Sequence, residues 1–208
     1  MTESAPADPW QTPPRTVAQV LGDAARTLAR LPQSTPRLEA ELLLTEATGW
    51  PRTGLLAWPE RVLDGPAAAR FAALLKRRLA GEPIAYIRGR QAFWTLELRV
   101  TPDTLIPRPE TELLVEVALE LPDPERPRVC IDLGTGSGAI AAALASERAS
   151  WQVIATEHSA AALAVARTNF QDLALRNVRT LRADWLAALA PACLDLILAN
   201  PPYIAAAD

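Results

Sequence analysis

The chain changes its hydrophobic rhythm twice. From residue 16 to about residue 80, apolar residues recur every three or four positions, the spacing of one helix face. Val17, Val20, Leu21, Ala24, Ala25 and Leu28 form the first stripe, and Thr16 with Gln19 makes a capping box ahead of it. Thr35-Pro36 predicts a second helix carrying Leu38, Leu42 and Leu43, with Gly49 near its end. A short third helix is predicted over Thr53–Trp58. A fourth is predicted from Pro66 through Phe71, Leu74, Leu75 and Leu79, with Gly81 as its stop. Together they predict a small all-α domain over residues 15–83, which contains no cluster of catalytic residue types.

From Ile84 to Ile106 the rhythm shortens. Ile84-Ala85-Tyr86-Ile87 and Phe93–Val100 are short runs rich in branched and aromatic residues, separated by Gly89, and predict a β-hairpin linker over 84–106. Helical spacing returns over Thr111–Leu121. After Pro127, strand-length apolar runs alternate with helical stretches. The strands are Val129–Leu133, Trp151–Thr156, Val178–Ala183 and Leu194–Ala199; the helices are Ala139–Ala145 and a Ser159-capped segment running to Asn169. Alternation of this kind predicts an α/β fold with a parallel, doubly wound sheet over residues 107–208.

Composition narrows the function classes. The 208 residues suffice for one large or two small domains. Half of them are hydrophobic, 22% are charged and the net charge is -3. A dedicated nucleic-acid binder usually carries a basic excess, so direct nucleic-acid binding is not expected. Residues 1–14 are polar and Pro-rich, read as a disordered tail without a signal-peptide core. No apolar stretch reaches the ~18 residues of a membrane span, and a cytoplasmic address is expected. Cys130 and Cys193 lie in apolar runs and are expected to be buried thiols without a redox or metal role. His158, the single histidine, has no apparent metal or catalytic partner, and no metal site is expected.

The residues that suggest chemistry fall at the ends of the predicted parallel strands. Asp132-Leu133-Gly134-Thr135-Gly136-Ser137-Gly138 follows the first strand and opens a helix, as a nucleotide-type turn does. Glu157 ends the second strand about 20 residues on, where a carboxylate can accept from both hydroxyls of a ribose. Trp185 follows the third strand, either as an adenine wall or as core. Asn200-Pro201-Pro202-Tyr203 follows the fourth. It combines carbonyl acceptors, a turn stiffened by two prolines and a flat ring, a set suited to gripping a planar –NH2 group. The alternative there is an ordinary proline turn. In a doubly wound sheet these strand ends border one crevice.

This set of motifs resembles the S-adenosylmethionine-dependent methyltransferases of the Rossmann-like class. Glu82-Pro83-Ile84-Ala85-Tyr86-Ile87-Arg88-Gly89 and Leu105-Ile106-Pro107-Arg108-Pro109-Glu110-Thr111-Glu112, together with the helical N-terminal part, sharpen the match. Over about residues 16–208 the chain is similar to the peptide chain release factor glutamine methyltransferases. The resemblance implies S-adenosylmethionine as cofactor, its methionine part cradled by Gly134, Thr135, Gly136, Ser137 and Gly138. It further implies that Glu157 holds the ribose, that Trp185 neighbours the adenine and that Asn200 also borders the cofactor. Asn200 and the Pro201 carbonyl would bind the substrate amide, with Pro202 and Tyr203 helping to enclose it. The implied substrate is the glutamine of the Gly-Gly-Gln motif in class 1 release factors, recognised by the helical domain of a monomer. Glu157 stands where the family more often has Asp. The family also continues beyond position 208 with a strand-rich segment, without which the fourth strand is an edge and the pocket floor is thinner. Two alternatives remain open: a DNA adenine amino-methyltransferase, which needs a basic groove and a base-flipping surface, and a truncated domain that only binds a partner.

Overall fold

The protein is described here by a computed structural model, which covers residues 14–32, 34–186 and 193–201. Residues 1–13 of the tail expected over 1–14 lie outside the described residues, as do Pro202 and Tyr203.

The predicted capping box forms. Gln19 N–H donates to Thr16 Oγ1 at 3.4 Å and Thr16 N–H donates to Gln19 Oε1 at 3.0 Å, starting α1 (Val17–Leu28). Val17, Val20, Leu21, Ala24 and Leu28 are all buried. α2 (Pro36–Thr48) begins with its proline and ends at Gly49, whose φ of 73° is the left-handed stop expected of glycine. Its buried face departs from the Leu38-Leu42-Leu43 stripe: Leu38 is exposed, while Glu39 and Glu41 are buried. The two carboxylates are tolerated because each has guanidinium partners. Arg78 Nε lies 2.8 Å from Glu39, and Arg37 Nε and Arg52 Nε lie 2.7 and 2.6 Å from Glu41. α3 (Arg52–Ala57) and α4 (Gly65–Leu79) follow, α4 capped by Asp64 accepting from Ala67 N–H at 2.7 Å.

Ile84–Ile87 is helical, not a strand of the hairpin. It belongs to α5 (Ile84–Arg88), started by Tyr86 and Ile87 N–H groups that both donate to the Pro83 carbonyl at 3.1 Å. Ile84 and Ile87, three residues apart, both turn to the helical core, and Pro83 suits the position just before a helix. Residues up to Arg88 form one compact unit and those from Gly89 a second.

The second unit opens with the hairpin, β1 (Arg90–Phe93) and β2 (Leu96–Arg99), antiparallel with Arg90 opposite Arg99 and Phe93 opposite Leu96. A 3-10 turn, Pro109–Thr111, runs into α6 (Glu112–Leu119). Then come β3 (Val129–Leu133), α7 (Ala139–Glu147), β4 (Gln152–Glu157), α8 (Ala160–Asp172), β5 (Val178–Arg182) and β6 (Leu196–Ala199). The four strands form a parallel sheet in the order β5-β4-β3-β6. The chain thus winds outward from β3 through β4 to β5, then returns to the other side of β3. The reversal makes the β3/β6 boundary the topological switch point, where ligands bind in open α/β sheets.

α7 contacts α6, α8 and three strands, so it is crowded on most sides. That explains why buried alanines at 139, 141, 142, 143 and 145 line it. Trp151, Ile131, Leu144 and Leu98 are fully buried in the second unit. Cys130 is buried, and burial pushes its thiol up to about 11, leaving it protonated and unreactive at neutral pH. Cys193, expected to be buried, is exposed: it lies before the first residue of β6, outside the apolar run that packs. No helix among the described residues is long and apolar enough to cross a membrane.

Candidate active site

The register of the sheet fixes what meets at its C-terminal edge. Leu133 pairs with Thr156 on one side and with Ala199 on the other. The next residues, Gly134, Glu157 and Asn200, therefore stand at the tips of three adjacent strands, spaced ~4.8 Å apart. β5 reaches the same edge, with Glu157 opposite Arg182. Asp184 and Trp185 follow it and are exposed.

The turn after β3 uses its glycines in two ways. Gly134, Gly136 and Gly138 have φ of 69°, 55° and 88°. A Cβ added at Gly134 or Gly136 would meet nothing within 4 Å, so the backbone there faces open space that a ligand can approach. A Cβ at Gly138 would instead lie 2.7 Å from Phe170 Cε1 and Cζ, so that glycine lets α8 pack against the turn. Thr135 N–H donates to the Thr156 carbonyl at 2.8 Å, tying the turn to β4. Thr135 and Ser137 are buried.

Asp132, at the end of β3, is a strut beneath this turn. Its Oδ2 accepts from Thr135 Oγ1 at 2.5 Å and from Ala141 N–H at 3.3 Å. Burial raises its carboxyl to about 6, with the charge of Glu157 adding to the rise and the two hydrogen bonds opposing it. Glu157 bridges the turn and the start of α8: Oε2 accepts from Gly136 N–H and Oε1 from Ser159 N–H, both at 3.0 Å. A carboxylate has about four acceptor positions, so capacity remains for a pair of ligand hydroxyls. The open glycine backbone and this acid fit an adenosyl cofactor.

Two further residues shape the site without having been candidates in the sequence. Asn169 of α8 is buried; its Oδ1 accepts from Arg99 N–H at 2.7 Å. Its Nδ2 donates to the Arg99 carbonyl at 3.0 Å and the Ser137 carbonyl at 2.8 Å, joining the hairpin to the glycine turn. Its one sequence signal is a polar residue on the buried stripe formed by Leu163, Ala166 and Phe170. Thr111 is the other: its Oγ1 accepts from Asn200 Nδ2 at 3.0 Å. Trp185 is 53% exposed with a φ of 49°. His158 is exposed. Asn200 and Pro201 are half-buried. Among the described residues no group of acidic, histidine or cysteine side chains could hold a metal.

The sheet order and the glycine turn define a Rossmann-like methyltransferase unit, and residues 109–208 match the family model described as the methyltransferase small domain. Residues 19–89 match the PrmC N-terminal domain. Release factor glutamine methyltransferases from Coxiella burnetii and Escherichia coli are each 49% identical to the chain over 82% of its length and 61% of theirs. That of Burkholderia pseudomallei is 49% identical over 88% of the chain and 67% of its own length. The chain belongs to the release factor glutamine methyltransferase family, and it spans 61–67% of the length of these relatives. A solved structure, the Thermus thermophilus 16S rRNA N2 G1207 methyltransferase with AdoMet and guanosine, is 28% identical, with a TM-score of 0.48 over 55% of this chain and 32% of that one.

Proposed function

We propose that the chain moves a methyl group from S-adenosylmethionine to the side-chain amide nitrogen of the glutamine in the Gly-Gly-Gln motif of class 1 peptide chain release factors. The observation that carries the reading is the register of β3 with β6, which sets the glycine turn and Asn200 side by side at the switch point. Family membership supplies the substrate class.

Each group then has a task that its chemistry allows. When bound, S-adenosylmethionine supplies an electrophilic methyl on a sulfonium. Gly134–Gly138 hold its methionine part, Glu157 accepts from the ribose hydroxyls and the exposed ring of Trp185 covers the adenine. Asn200 Oδ1 and the Pro201 carbonyl each accept one N–H of the substrate amide. Pro202 and Tyr203, to which the resemblance gives the task of enclosing the amide, lie outside the described residues. A carboxamide nitrogen is a poor nucleophile because its lone pair is delocalised into the carbonyl. Two acceptors hold both hydrogens aside, favour electron density on nitrogen and aim it at the methyl. Alignment of this kind is worth up to ~7–11 kcal/mol, and fixed dipoles add to it. A dedicated base is not required: attack would give an N-protonated secondary amide, a strong acid that passes its proton to water, while the electron pair of the broken C–S bond would stay on sulfur. The helical first unit recognises the release factor. Such a substrate is met in the cytoplasm, and a monomer suffices.

The test is incubation with methyl-labelled S-adenosylmethionine and either a release factor or adenine-containing DNA. Label is expected on the glutamine of the release factor, and label on DNA alone would overturn the reading. Asn200→Ala is expected to cut turnover by about 100-fold or more while S-adenosylmethionine binding, followed by calorimetry, survives.

A further inference from the structure

We propose that Thr111 is a positioning residue that sets the orientation of the Asn200 amide toward the methyl acceptor; the inference rests on the amide-binding role given to Asn200 above. An asparagine amide carries an acceptor on one edge and a donor on the other, and a half-turn about its last torsion exchanges them. Only Oδ1 can receive an N–H from a substrate carboxamide. The reverse orientation would turn Nδ2, a donor, toward a group that also donates. Thr111 Oγ1 accepts from Nδ2 at 3.0 Å, which holds Oδ1 on the edge away from Thr111. A hydroxyl can also donate, so Thr111 and the –NH2 of the substrate select this orientation together.

The frame that carries the hydroxyl is stiff. Thr111 closes the 3-10 turn Pro109–Thr111, its N–H donating to the Arg108 carbonyl at 3.0 Å. Pro107 is buried, and Pro109 opens the turn with its φ locked. The next residue, Glu112, accepts from Trp94 N–H at 2.8 Å through Oε1, fastening the turn to the hairpin. Val115 and Ala118, one and two turns of α6 further on, are buried. Asn200 itself is the first residue past β6, which is laddered to β3. The Pro107-Arg108-Pro109-Glu110-Thr111-Glu112 stretch therefore has a physical task. It holds a hydroxyl at a fixed point 89 residues away in sequence from the side chain it orients.

The experiment compares Thr111→Val, which keeps the shape and loses the hydroxyl, with Thr111→Ser, which keeps the hydroxyl. Turnover of a release factor, S-adenosylmethionine affinity and exchange of the Asn200 side-chain amide protons by NMR are measured for both. Thr111→Val is expected to lower kcat by about 10- to 100-fold, with cofactor affinity within about two-fold of the parent, and to speed amide exchange at Asn200. Thr111→Ser is expected to restore turnover and amide exchange to those of the parent, with cofactor affinity again unchanged. A Thr111→Val protein that turns over normally while Asn200→Ala does not would overturn the positioning role and leave the proposed function standing. Normal turnover by Asn200→Ala would overturn the amide-binding role of Asn200 and with it the positioning role, and leave methylation of the release factor standing. Parallel loss of cofactor binding in Thr111→Val, or Asn200 amide exchange identical to the parent, would also sink the inference, the last without any need for turnover.

Discussion

At the scale of single residues, the three glycines of the turn separate strain from crowding. All three sit at positive φ, where a non-glycine residue costs roughly 1–2 kcal/mol. Gly138 adds a clash, because a methyl there would lie 2.7 Å from the Phe170 ring and 3.2 Å from Ala166 Cβ. Overpacking of that kind costs about 1–3 kcal/mol more. Gly138→Ala is thus expected to lose about 2–5 kcal/mol in denaturant unfolding. Gly136→Ala is expected to lose only the backbone part, about 1–2 kcal/mol, and yet to weaken S-adenosylmethionine binding by more than that strain accounts for. A Gly136→Ala protein that binds the cofactor as the parent does would show that the open face of the turn is not where it sits. The glycines, Glu157 and Asn200 were legible in the sequence because each announces itself locally, by a backbone requirement or by its place at a strand end. Thr111 and Asn169 were not, because their partners lie 89, 32 and 70 residues away and only the folded chain brings them near.

Among the elements, α8 does more than cover the sheet. Through Asn169 it pairs with both backbone groups of Arg99 in β2 and with the Ser137 carbonyl, so one side chain joins hairpin, helix and glycine turn. Asn169→Ala leaves those three groups without that partner; the Ser137 carbonyl is buried and the two Arg99 groups are part-buried, and a fully buried unsatisfied group costs about 1–3 kcal/mol. Water entering the space left by the side chain recovers part, so a loss of about 2–4 kcal/mol is expected in urea unfolding. Asn169→Asp is expected to be at least as damaging, since it sets an acceptor against two carbonyls. A loss under about 1 kcal/mol would show the clamp to be incidental. Element type and order followed from hydrophobic period alone across the parallel sheet. They failed at Ile84–Ile87, where so short a run does not let period separate helix from strand and Pro83 tipped the balance. The buried face of α2 was hidden for a different reason: Glu39 and Glu41 read as solvated until Arg78, Arg37 and Arg52 come beside them.

Taken as a whole molecule, the chain joins two units whose buried acids respond to pH in opposite senses. In the first, burial pushes Glu39 and Glu41 up. Arg78 and the Thr35 N–H at Glu39, and Arg52 and Arg37 at Glu41, outweigh it and hold both below the usual carboxylate range. Such groups stabilise the fold above their ordinary pKa of 4.5, and that stabilisation is lost as pH falls through the lower folded value. In the second unit Asp132 is raised from 3.8 to about 6. The folded state holds its proton more tightly than the unfolded chain, so stability from this group is full below pH 3.8 and declines as pH rises to about 6. The difference corresponds to about 3 kcal/mol. Acidification from pH 7 to 4.5 is therefore expected to increase protection of β3 and β4 in hydrogen exchange, after correction for intrinsic rates. Over the same range α1 and α2 should hold steady, then lose protection below pH 4.5. Asp132→Asn removes the titrating group, so the gain in β3 and β4 should vanish while α1 and α2 behave as before. If β3 and β4 lose protection between pH 7 and 4.5 alongside α1 and α2, Asp132 does not carry its proton into the folded state. The strut beneath the glycine turn would then be a carboxylate throughout.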